Sequence, residues 1–86
     1  MSVPTISDYE IQAGLNRLNQ SIDRRIEKHG REPHHSVHES LGICMEEMYE
    51  VQKAIHENQD PVIIAKELRD LAVAASWGMI SLEGKR

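Results

Sequence analysis

The residues best placed to do chemistry in this 86-residue chain are acidic and lie in two short runs. Glu46-Glu47-Met48-Tyr49-Glu50 is followed, after 16 intervening residues, by Glu67-Leu68-Arg69-Asp70. Residues three apart on a helix lie on nearly the same face, so Glu47 pairs with Glu50 and Glu67 with Asp70. Between the runs, Asn58-Gln59-Asp60-Pro61 breaks the helical pattern. Counted from Gln59, Glu50 lies 9 residues before and Glu67 lies 8 after, while Glu47 lies 12 before and Asp70 lies 11 after. At about 1.5 Å rise per residue these heights match across an antiparallel hairpin, and all four carboxylates are expected to converge. Both pairs border apolar positions, Met48 and Val51 on one helix, Leu68 and Leu71 on the other, which places them at the edge of a helix–helix contact. Converging carboxylates repel one another unless a cation neutralises them. Oxygen ligands select hard divalent ions, Mg²⁺ or Mn²⁺ before Zn²⁺ or Cu²⁺. A di-iron bundle would need Glu-x-x-His pairs on its helices, and the one such pair, Glu32 to His35, falls in a loop. The competing explanation is that the acids are surface charges paired with Lys53, Lys66 and Arg69, but surface pairing does not require matched heights.

Three helices are expected to position these groups. Ser7-Asp8-Tyr9-Glu10 reads as a capping box, in which Ser7 and Glu10 satisfy each other's free backbone N–H groups. Ile11, Leu15, Leu18, Ile22 and Ile26 then form one apolar stripe, and Gly30 ends the helix in the usual C-terminal glycine position. Residues 30–35 form a loop. Ser36 to Glu39 reads as a second capping box, followed by an apolar seam of Val37, Leu41, Cys44, Met48, Val51 and Ile55. After the break, Asp60 can cap and Pro61 fits the first helical position. The third helix carries Ile64, Leu68, Leu71, Ala75, Met79 and Leu82 and should fray near Gly84. A four-residue break between helices of about 20 residues makes them antiparallel neighbours. The fold class is all-α: an antiparallel helical hairpin plus an N-terminal helix, one domain over residues 1–86, completing a helical bundle by oligomerisation.

Composition supports the oligomer. The chain has one Trp, two Tyr and no Phe, so the aromatic area that normally fills a small core is missing and more apolar surface is expected to be buried between subunits. The net charge of −4 argues against nonspecific nucleic-acid binding. A helix-turn-helix reading of the Asn58–Pro61 break fails because the next helix opens with Val-Ile-Ile instead of polar and basic readers. Cys44, the lone cysteine, forms no intrachain disulfide and reads as core; a reducing compartment fits. No apolar run approaches a membrane span, and Met1-Ser2-Val3-Pro4 lacks a signal-peptide pattern. A cytoplasmic protein without membrane or nucleic-acid partners is expected.

The acidic runs in this register resemble the EExxE…ExxD signature of the MazG-like, all-α nucleoside triphosphate pyrophosphohydrolases; the dimeric dUTPases carry a related pattern. The likeness covers the second and third helices, and the first only in general character. It implies a homodimer or dimer of dimers, and Mg²⁺-dependent hydrolysis of a nucleoside triphosphate to the monophosphate and pyrophosphate. By position it implies Glu47, Glu50, Glu67 and Asp70 as metal ligands and Glu46 as the catalytic, water-activating carboxylate. The chemistry suits the residues: metal ions neutralise charge on phosphate oxygens and acidify bound water, a spare carboxylate accepts a proton, and no nucleophilic side chain is required. The alternative is a non-catalytic helical oligomerisation or regulatory protein, or a nucleotide binder, with a structural acidic cluster.

Other groups could touch substrate. The locally basic stretch 17–31, Arg24 within it, could hold phosphate oxygens or form a solvated helix face. Lys53 could reach a phosphate or pair with an acid. Trp77, seven residues after Asp70, could line a base pocket or fill the core. Tyr49 adjoins the acids and could pack or hydrogen-bond. His29, His34, His35 and His38 flank the loop, where such histidines cap, pair with acids, face solvent or ligate.

Overall fold

A computed structural model describes residues 4–84 of the chain; the reading of the N-terminus falls largely on residues outside these. The described residues form three α-helices and no strand: α1 (Asp8–His29), α2 (Val37–His56) and α3 (Pro61–Gly84). No helix among them is long and apolar enough to cross a membrane.

Local chemistry sets the boundaries. Ser7 Oγ accepts the Glu10 N–H at 3.1 Å and Glu10 Oε1 accepts the Ser7 N–H at 3.1 Å, a complete capping box. Gly30 closes α1 at φ 81°, where a side chain would be strained, and its N–H reaches the Ile26 carbonyl at 2.7 Å. At α2 the box is offset. Ser36 Oγ accepts the Glu39 N–H at 3.1 Å, but the Glu39 carboxylate takes the N–H of His35, not of Ser36, at 3.0 Å. Asp60 Oδ1 accepts the Val62 N–H at 2.9 Å and starts α3 with Pro61 at its first position.

α2 and α3 pack as an antiparallel hairpin, and α1 lies against α3 alone. The seam between α2 and α3 differs from the apolar stripes read in the sequence. The buried residues there are Val51 and Ala54 on α2 and Ala74, Gly78 and Ser81 on α3. Val37, Leu41, Met48 and Ile55 of the expected α2 seam are instead exposed, as are Leu68, Ala75, Met79 and Leu82 of the α3 stripe. The physical reason is close approach through small residues. A Cβ on Gly78 would sit 3.1 Å from Ser40 Oγ, so the helices meet at Gly78 nearer than two leucines would allow. Cys44 is partly buried.

The loop between α1 and α2 is fastened to the C-terminal half of α3. The Trp77 indole N–H donates to the Glu32 carbonyl at 3.0 Å, and the His34 N–H donates to Ser81 Oγ at 3.0 Å. Arg25 of α1 covers the Trp77 ring with its guanidinium 4.0 Å from the centroid, a cation–π contact. Through these contacts the only tryptophan ties α3 to α1 and to the loop that leads into α2.

Candidate metal centre

The hairpin brings Glu47 of α2 together with Glu67 and Asp70 of α3. One carboxylate oxygen from each lies within 4.8 Å of the others, and all three residues are half-buried. Among the described residues this is the only such group of His, Cys, Asp or Glu, and it contains no histidine. Burial, then the charges of Asp70, Glu67 and Glu50, push the Glu47 carboxyl above its ordinary range, against the opposing pull of Lys66. Lys66 supplies the cation nearest to hand. Its Nζ lies 2.8 Å from Asp70 Oδ2 and 3.7 Å from Glu67 Oε1, and the hydrogen bond to Asp70 raises its own pKa.

The other acids of the two runs lie outside this group. Glu50 is exposed and lines a smaller hollow of about 220 Å³ with Lys53 and Glu67; it acts on Glu47 through its charge alone. Glu46 is exposed and sits about 100° round α2 from Glu47. The donor set fits a hard divalent ion: three carboxylates, no soft ligand, one of them carrying a raised pKa that a cation would relieve.

Beside the acids a groove of about 770 Å³ runs between α1 and the hairpin. Arg24, Arg25 and Lys28 line it from α1, Lys66 and Arg69 from α3, and Glu47 and Asp70 are its only acids. Five cations against two anions give the lining a formal charge of +3, in a chain of −4. Arg24 is thus brought to the groove, as is His29. Lys53 lies on the neighbouring hollow. Trp77 is 6% exposed and does not line the groove, so of its two roles the structure places it in the core. Tyr49 is exposed.

Sequence reasoning missed the polar knot that holds this end of the hairpin. His34 is buried, its Nδ1 lies 2.5 Å from Ser40 Oγ, and Ser81 Oγ donates to the Trp77 carbonyl at 2.7 Å. The small residues Ser40, Gly78 and Ser81 carry no periodic signal, because periodicity registers apolar bulk. His34 also lines the groove, alongside the basic residues.

No family model matches the chain, and neither a curated protein nor a solved structure does.

Proposed function

We propose that the protein is a Mg²⁺-dependent nucleoside triphosphate pyrophosphohydrolase, with Mn²⁺ able to substitute, releasing the monophosphate and pyrophosphate. The observation that carries the reading is the Glu47–Glu67–Asp70 group, two of whose members, Glu47 and Asp70, line a groove with a positive lining. The acidic signature and its register point the same way. Glu47, Glu67 and Asp70 would hold the ion, with Glu50 near enough to add charge. A divalent ion held there would supply charge neutralisation for phosphate oxygens and an acidified water. The chain's own residues do the rest. Arg24, Lys28 and Arg69 offer N–H donors for the remaining phosphate oxygens. Lys66, with a side chain 57% exposed, is free to turn from Asp70 towards the same anion. Glu46 lies outside the group, so a proton it accepts arrives through water.

The test is pyrophosphate release from a panel of NTPs and dNTPs with Mg²⁺. Turnover is expected for at least one, falling by about two orders of magnitude in Glu67→Gln and Asp70→Asn. Turnover unchanged in both variants removes the site. The Lys66 to Asp70 ion pair favours a second reading, a helical oligomerisation or regulatory protein whose acids are only salt-bridged. That protein shows no Mg²⁺-induced rise in melting temperature, whereas an ion bound only by the folded state must produce one.

A further inference from the structure

α1 is the least anchored element of the fold. None of its 22 residues is buried, and it touches α3 alone. A helix in a protein draws most of its stability from the face that it packs, and here that face is small. The fastening of the following loop begins only at Glu32, whose carbonyl takes the Trp77 N–H. Gly30, at φ 81°, lies between that fastening and the helix. α1 can therefore come away from α3 by local opening while the loop stays in place.

Arg25 holds α1 at this end. Its guanidinium lies 4.0 Å over the Trp77 ring and donates to the Gly30 carbonyl at 3.2 Å. These two contacts fix the plane of the fork but leave its charge unanswered. Both ion pairs among the described residues belong to Lys66, so no carboxylate there pairs with Arg25. Arg25 is half-buried, and burial lowers its pKa. A partly desolvated cation without a counter-ion weakens the docking in which it takes part. Arg25 also lines the groove, with Arg24 and Lys28 of its own helix and Lys66 and Arg69 of α3. Cations on both walls repel one another and push α1 off α3. An oxyanion between the walls reverses the sign: it pairs with Arg25 and draws the walls together through charge-assisted hydrogen bonds. Arg24 and Lys28 are about 6 Å apart along the helix axis, a span suited to a chain of phosphates more than to a single one.

We infer that α1 is a clamp that docks firmly only on a polyphosphate chain held in the groove, with Arg25 as its contact and Trp77 as the positioning residue beneath it. The inference rests on the phosphate-binding part of the proposed function and uses neither the metal nor the hydrolysis.

Amide hydrogen exchange of the full chain, in chelator with inorganic tripolyphosphate, tests it. In the free chain the amides of residues 18–28 should be protected about tenfold less than those of residues 71–80. Tripolyphosphate at 100 times its Kd should slow residues 18–28 by at least about tenfold, towards the roughly 100-fold that linkage permits. Orthophosphate at the same concentration should slow them by less than about twofold. Arg25→Lys keeps the charge and loses the planar fork, and should cut the tripolyphosphate effect to less than about threefold. Arg17→Lys, at an exposed position of α1 outside the groove, should keep the effect in full. Free-chain protection of α1 equal to that of α3, rates unchanged by tripolyphosphate, equal slowing by orthophosphate, or full slowing in Arg25→Lys overturns the inference. All but the last are read on the wild-type chain, so they hold even where a variant does not fold. With no divalent ion in the assay, a chain without pyrophosphohydrolase activity gives the same result.

Discussion

At the scale of single residues, Glu47 decides the character of the acidic group. Burial and three neighbouring carboxylates hold its carboxyl above the usual range, and Lys66 offsets only part of this. A carboxyl whose folded-state pKa is raised contributes stability that is complete below its ordinary value of 4.5 and is lost as pH climbs through the raised value. Charged Glu47 is therefore a liability at neutral pH in the absence of a divalent ion. Glu47→Gln in chelator at pH 7 should be more stable than wild type by about 0.5 kcal/mol, the size of a like-charge helix pair. The gain should vanish below pH 4.5, as thermal melts across pH would show. The same variant should lose most of any Mg²⁺-induced rise in melting temperature. Lys66 runs oppositely. Its raised pKa means that its contribution persists at neutral pH and fades above 10.5, and Lys66→Met should cost up to about 1 kcal/mol at pH 7. The matched heights of the acids were legible in the sequence because helical rise is nearly invariant. Azimuth was not. Glu50 and Glu47 are three apart and so about 60° apart on the helix, and only the seam's true direction selects Glu47.

At the scale of elements, boundaries were legible and facing was not. Ser7, Gly30, Ser36 and Pro61 each mark a helix end through local chemistry that needs no partner, and all four do so in the fold. Which stripe of α2 meets α3 depends on a competition between partners that the chain does not encode locally. The hairpin seam uses Ser40, Ala54, Ala74, Gly78 and Ser81, whose small side chains allow close approach, and leaves the larger apolar residues for the outer face. Gly78→Val should therefore be damaging. It places carbon 3.1 Å from Ser40 Oγ beside the His34 bond, and a loss of about 1–3 kcal/mol is expected for overpacking, read by urea unfolding. Trp77→Phe tests the Trp77 contacts differently. The ring area survives but the 3.0 Å bond to the Glu32 carbonyl does not. A loss of about 1–2 kcal/mol, concentrated in the loop and α1, should appear as faster hydrogen exchange there.

At the scale of the whole molecule, shape and charge both depart from a compact domain. The radius of gyration is 14.9 Å against about 12 Å for a compact chain of this length. The extent of 49 Å along the longest axis separates charges widely. A groove lining of +3 in a chain of −4 leaves −7 on the remaining surface. A polyanion in the groove feels two opposed fields, a near attraction and a more distant repulsion. At 0.01 M salt, with a Debye length of about 30 Å, both act; at 0.15 M, with about 8 Å, the distant repulsion is screened first. Part of the loss in attraction is thereby offset. By 1 M, with about 3 Å, the near attraction is also lost. The affinity for inorganic tripolyphosphate, measured in chelator by calorimetry, should change little between 10 and 150 mM NaCl and then fall steeply towards 1 M. A uniform steep fall from the lowest salt would mean that the remaining surface plays no part. The double variant Arg24→Ala, Lys28→Ala should weaken binding by about tenfold at 150 mM, corresponding to about 1.4 kcal/mol. An affinity unchanged in that variant would place the anion somewhere other than the groove.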